Sequence, residues 1–234
     1  MSAPPLPLAP SRCFVVLPGM EGSGTTQARL VDALARHGAV HALSYPPDRI
    51  CSYDQLAAEL SWPAERHVIV ASSYGGPLAL RMAIAAPERV TAVVLLGSFG
   101  AAPVPFGRAL SPLASLLFRK PPPRSGVQRA LGKGADTALV DIAHAAVSRP
   151  LASVMQARLR EVLRVDLRDA LAELKQPVLY LRGAEDRLIG GRGLKTLAAV
   201  PRLTTRTVAT GHFMALTEPE ACTREIVSFL SLHD

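Results

Sequence analysis

The chain has 234 residues, 49% of them hydrophobic and 19% charged, with a formal net charge of +7. That length and composition bury one sizeable core, so a single domain over residues 1–234 is expected and a fibrous or disordered chain is excluded. No apolar run is long enough to span a bilayer. The three scattered cysteines, Cys13, Cys51 and Cys222, offer neither ligand spacing nor a disulfide framework, which points to a reduced cytoplasm.

The first dozen residues lack a charged start followed by an apolar core, so they do not read as a secretory signal. Residues 1–11 read instead as a flexible, Pro-rich lead-in. Cys13 to Leu17 is a short apolar run stopped by Pro18-Gly19, the pattern of a buried strand. Leu30, Val31, Leu34 and Ala35 have helical spacing, and Gly38 ends that helix. Val40 to Tyr45 is a second strand, closed by Pro46-Pro47. Ser52 caps a short helix to Leu60. His67 to Ala71 is a third strand, Gly75 to Ala86 a helix ended before Pro87, and Val90 to Leu96 a fourth strand.

The alternation then stops. Residues 99–174 hold no convincing strand, a Pro-rich turn at Lys120 to Arg124 and several helical patterns. A segment of about 75 residues is far longer than an ordinary connection, so it is expected to form a helical lid over the sheet's edge. Alternation resumes with a strand at Pro177 to Arg182, a helix at Gly193 to Val200, a strand at Leu203 to Ala209 and a closing helix at Pro219 to Leu232. The strands are continuous apolar runs. They predict an α/β fold with about six parallel strands and helices on both faces.

The positive charge is uneven. Arg108, Arg119, Lys120, Arg124, Arg129 and Lys133 occur with no Asp or Glu between them. Aromatic residues are almost absent there, so a base-stacking platform is not expected, and no nucleic-acid motif is present. The run reads as a solvated basic surface, or as a recognition surface for an anionic group or an acidic carrier protein. Leu110, Leu113, Leu116, Leu117 and Phe118 share helical spacing. They read as core, or as the lining of an acyl pocket.

Ser72 and Ser73 stand where the third strand gives way to its helix. In open parallel sheets, sites form beyond the carboxyl ends of the strands. A nucleophile on such a sharp turn needs small residues two before and two after it. Ser73 has Ala71 and Gly75 there, whereas Ser72 would have Val70 and Tyr74. Ser73 is therefore the candidate. Asp186 follows the fifth strand and His212 the sixth, so both share Ser73's edge of the sheet. Glu185 is the neighbouring acid, and His144 lies in the insert. A serine hydroxyl becomes nucleophilic when an imidazole takes its proton, and a carboxylate orients and stabilises that imidazole.

These residues resemble the α/β-hydrolase superfamily. Ala71-Ser72-Ser73-Tyr74-Gly75 is similar to its G-x-S-x-G nucleophile elbow, with Ala71 where Gly is usual, and the order serine, acid, histidine matches. The loop Leu17-Pro-Gly-Met-Glu-Gly-Ser-Gly24 resembles that of short bacterial hydrolases, with Glu21 at the acidic position. The resemblance implies a triad of Ser73, Asp186 and His212 and an oxyanion hole from the N–H groups of Met20 and Tyr74. It also implies an α/β-hydrolase fold, here trimmed of the leading antiparallel hairpin.

The expected activity is hydrolysis of a carboxylic ester or thioester of a small molecule, without metal or organic cofactor. Acyl transfer, perhydrolysis or carbon–carbon cleavage on the same triad, and a non-catalytic receptor or scaffold, stay open. So do the substrate-binding residues and the oligomeric state.

Overall fold

The computed structural model describes residues 12–63 and 65–233; the expected lead-in over residues 1–11 lies outside them. Six strands form one sheet: β1 (Arg12–Leu17), β2 (Gly38–Ala42), β3 (His67–Ser72), β4 (Val90–Leu96), β5 (Val178–Gly183) and β6 (Leu203–Val208). Their order is β2-β1-β3-β4-β5-β6, and every neighbouring pair is parallel. The four inner strands are almost wholly buried, which is why they lack polar alternation. Edge strands β2 and β6 are half exposed and carry polar residues. β2 begins two residues earlier than the sequence suggests, because Arg12 pairs with Gly38.

Alternate residues on each strand face opposite layers. Phe14, Val16, Val68 and Val70 pack with Leu30 and Leu34 of α1 (Ala28–Leu34) and with Ile226 and Phe229 of α11 (Pro219–Leu230). Val15, Leu17, Ile69 and Ala71 pack with Tyr53 and Leu56 of α2 (Tyr53–Glu59) and with Leu78, Ala79 and Met82 of α3 (Gly75–Ala85). Each fully buried large apolar side chain contributes about 1.5–3 kcal/mol, so the two layers together fix the sheet. A reciprocal capping box between Ser52 and Gln55 starts α2.

Between β4 and β5 lie α4 (Gly107–Leu110), α5 (Ala114–Leu117), α6 (Arg124–Leu131), α7 (Thr137–Ser148) and α8 (Ala152–Arg164). α6 and α7 share an apolar cluster of Val127, Leu131, Val140 and Ala143, which includes Leu216 of the short helix α10 (Met214–Thr217). The structure corrects one expectation drawn from the leucine spacing of this segment. Leu110, Leu113 and Leu116 are exposed rather than core or pocket lining, and among the described side chains of that stripe Phe118 reaches the cavity described below. The side chain of Leu117 lies outside what the structure describes. All six residues of the basic run are exposed. α9 (Gly190–Lys195) precedes β6; it begins three residues before, and ends five residues before, the Gly193 to Val200 helix that its sequence pattern indicates.

No helix among the described residues is long and apolar enough to cross a membrane.

Candidate active site

The turn after β3 brings Ser73 to the carboxyl end of the sheet with φ +48, a left-handed conformation that a serine rarely adopts. Surrounding bonds hold the strain. Ser73 N–H donates to the Leu96 carbonyl at 2.9 Å, and Ser98 Oγ donates to the Ser73 carbonyl at 2.6 Å. The small neighbours are required by space. A Cβ on Gly75 would lie 2.6 Å from the Pro18 carbonyl oxygen and 3.2 Å from Leu17 Cβ. Ala71 is fully buried between Leu17 and Leu95 on the flanking strands.

Ser73, His212 and Asp186 form one hydrogen-bonded chain. His212 Nε2 lies 3.0 Å from Ser73 Oγ, and His212 Nδ1 lies 2.9 Å from Asp186 Oδ2. The second carboxylate oxygen, Oδ1, accepts from the N–H groups of Leu188 at 2.9 Å and Ile189 at 3.0 Å. Burial pushes the Asp186 carboxyl upward. The hydrogen bond and charge of His212 and the N–H groups of Ile189 and Leu188 outweigh it, holding the acid below its ordinary value. An ionised Asp186 requires Nδ1 to be the protonated imidazole nitrogen, which leaves Nε2 as the acceptor facing Ser73. The rivals separate cleanly. Glu185 accepts from Lys133 N–H at 3.0 Å on the exposed side, and His144 does not border the cavity.

The loop after β1 lies against the same serine. Gly22 N–H donates to the Gly19 carbonyl at 3.1 Å, closing a tight turn with Met20 and Glu21 at its centre. Glu21 is buried, and its carboxylate is taken up within its own loop by Ser23 N–H, Ser23 Oγ at 2.5 Å and Thr26 Oγ1 at 3.0 Å. The Met20 and Tyr74 N–H groups have no acceptor among the described residues.

Above Ser73 opens a cavity of about 440 Å³, within the usual size of small-molecule clefts. Phe99, Phe118, Val127, Met155, Leu159 and Leu163 give it an apolar wall, largely drawn from the segment between β4 and β5. No lysine or arginine among the described residues lines it, so the six basic residues noted in the sequence stand outside it.

The model of the Alpha/beta hydrolase family matches residues 6–225. The chain belongs to this family. Compared against curated proteins, it has no match. Among solved structures it is similar to a thermophilic esterase from Thermogutta terrifontis, with a TM-score of 0.82 and 17% identity over 96% of this chain and 91% of that one. An enol-lactonase from Burkholderia xenovorans gives a TM-score of 0.74 at 15% identity, over 95% and 92% of the two chains. MenH from S. aureus gives 0.76 at 16%, over 97% and 96%. At these identities the likeness is one of fold.

In this α/β hydrolase the segment between β4 and β5 does more than wall the cavity. The N–H groups of Gly211 and His212 donate to the Leu131 and Ala130 carbonyls at 3.2 and 2.7 Å. Arg158 of α8, buried, donates through Nη1 to the Met20 carbonyl at 2.8 Å and through Nη2 to the Pro46 carbonyl at 2.7 Å. No sequence motif marks these contacts. Gln27 also borders the cavity; its Oε1 is buried with no hydrogen-bond partner among the described residues.

At the opposite, amino end of the sheet, the parallel register places Cys13 and His41 near each other, and Glu65 joins them. Their potential ligand atoms lie within 4.8 Å of one another. Cysteine spacing alone does not reveal this trio. Two of its members are exposed, and burial together with Glu65 raises the Cys13 thiol pKa, disfavouring the thiolate that a metal requires.

Proposed function

We propose that this chain is a serine hydrolase that cleaves a carboxylic ester or thioester with a largely apolar, neutral acyl or alcohol part. The observation that carries the reading is the Asp186–His212–Ser73 hydrogen-bond chain at the floor of an apolar cavity, with Ser73 held at φ +48. Structural carboxylate–histidine pairs are common, but one ending on a strained serine at a strand's carboxyl end suits acyl transfer.

In this reading Ser73 Oγ attacks the substrate carbonyl carbon while His212 Nε2 takes its proton. The oxygen of the tetrahedral adduct is held by the N–H groups of Met20 and Tyr74. Collapse breaks the bond to the leaving alcohol or thiol, which takes the proton from His212. Water then attacks the acyl-enzyme, again losing a proton to His212. The second collapse frees the acid and restores Ser73. Asp186 orients the ring and stabilises its charged form. Each oxyanion donor is worth about 2.7–4 kcal/mol. The segment from residue 99 to 174 acts as the lid that shapes the acyl site. An anionic group on the substrate finds no lysine or arginine in the cavity, whereas a carrier-borne substrate meets the basic residues outside it.

The test is hydrolysis of p-nitrophenyl esters and acyl thioesters of graded chain length, together with labelling by a fluorophosphonate. Turnover that rises with chain length and label on Ser73 support the reading. An enzyme that neither hydrolyses these substrates nor takes the label is a receptor or scaffold.

A further inference from the structure

We propose that Arg158 is a positioning residue that sets the Met20 N–H for the oxyanion and so couples the lid to the chemistry; this rests on the reading of Ser73 as the nucleophile. Arg158 is 3% exposed. Among the described residues no carboxylate pairs with it, and its guanidinium lies 5.6 Å from the centre of the Tyr45 ring. A guanidinium stays charged in a protein. Burying it without a carboxylate in ion-pair contact is costly even with the Glu21 charge nearby, so its contacts invite a functional explanation.

Those contacts converge on one loop. Nη1 donates to the Met20 carbonyl and Nη2 to the Pro46 carbonyl. Tyr45 reinforces them. Its hydroxyl donates to the Pro18 carbonyl at 3.2 Å, and its N–H donates to the Gly22 carbonyl at 2.7 Å. The Gly19 carbonyl is taken by Gly22 N–H within the turn. The carbonyls of Pro18, Gly19, Met20 and Gly22 are therefore each held by a hydrogen bond. Met20 lines the cavity together with Ser73, and its N–H has no such partner among the described residues. This N–H shares its peptide plane with the Gly19 carbonyl that Gly22 N–H holds, and Arg158 fixes the next plane through its charge-assisted bond to the Met20 carbonyl, so the planes on both sides of the Met20 Cα are anchored. Gly22 has φ +75, and a Cβ there would lie 2.6 Å from Arg158 Nη1, so the loop leaves space for this side chain. The buried positive charge also favours negative charge developing nearby, at little reorganisation cost.

The experiment compares wild type, Arg158→Met and Arg158→Lys. It reads kcat and KM on a p-nitrophenyl ester, active fraction by fluorophosphonate titration, and affinity for an alkyl boronate that adds to the serine as a tetrahedral anion. For Arg158→Met, kcat per active site is expected to fall about 10–100-fold, less than the roughly 10²–10³-fold loss on deleting a donor. KM should stay within about threefold, and boronate affinity should fall in parallel with kcat/KM. Arg158→Lys, which reaches one carbonyl at a time, should fall between. It carries the test alone if Arg158→Met does not fold.

A variant with unchanged kcat per active site, or one whose kcat falls while boronate affinity holds, overturns the proposal. A wild type inert to ester and fluorophosphonate alike overturns the parent reading, and this one with it.

Discussion

The backbone N–H of His212 donates to the carbonyl of Ala130, 2.7 Å away at the end of α6. The histidine that faces Ser73 is thus held by the segment between β4 and β5 as well as by the loop after β6. Gly211 makes the approach possible, since a Cβ there would run into the Ala130 and Leu131 carbonyls. Gly211→Ala removes no reacting group, yet it is expected to lower kcat at least about 10-fold, because a displacement of about 1 Å can cost 10²-fold. Steady-state kinetics per fluorophosphonate-titrated site, with thermal unfolding alongside, tests this. Undiminished kcat would show that α6 does not hold the histidine.

The elbow and the acid make a paired prediction. Ser73→Ala and Asp186→Asn should each lower kcat by about 10³-fold or more. Ser72→Ala and Glu185→Gln should stay within a few-fold of wild type, since Ser72 ends the strand and Glu185 binds the Lys133 N–H outside the cavity. Kinetics of the four variants on one ester decides it, and a large loss at Ser72 would move the nucleophile.

The lowered Asp186 pKa has a signed consequence for stability. The folded state binds this proton less readily than the unfolded chain, so the contribution is present above the ordinary carboxyl value of about 3.9. It is lost as pH falls through the lowered folded value. Urea unfolding of wild type should therefore weaken more steeply below about pH 4 than that of Asp186→Asn. Parallel curves would mean that the carboxylate is not held ionised by His212 and the Leu188 and Ile189 N–H groups.

Gln27, which lines the apolar cavity, has a buried amide oxygen with no partner among the described residues. A buried polar atom left unpaired costs about 1–3 kcal/mol. Gln27→Leu should raise unfolding stability by roughly 1 kcal/mol. It should also favour plain alkyl esters over equally long esters bearing a hydroxyl or amide. Denaturation curves and the ratio of kcat/KM for such a matched pair measure both, and a variant less stable than wild type would contradict the account.

Chain order and local sterics carried much of the fold and the candidate site. The four inner strands were legible because a strand covered on both faces must be apolar throughout. Ser73 was legible because crowding at its turn acts on residues two away, leaving Ala71 and Gly75 as a local mark. Asp186 and His212 followed from their places after β5 and β6. Helical period, by contrast, groups Leu110, Leu113 and Leu116 on a face without saying whether anything covers it, and the tertiary structure leaves them exposed. The short helix at Met214–Thr217 had no period long enough to register.

Arg158 on the Met20 carbonyl, Ala130 on the His212 N–H, and the trio Cys13, His41 and Glu65 were invisible for a common reason. Each joins segments distant in the chain, and two of them use backbone atoms that every residue carries. The sequence by itself determined the strand count, the sheet edge and the candidate reacting side chains, because local sterics and burial write those into residue type. Which carbonyl meets which donor across the segment between β4 and β5, and which face of that segment meets the cavity, was decided only by tertiary packing, where proximity depends on the whole fold.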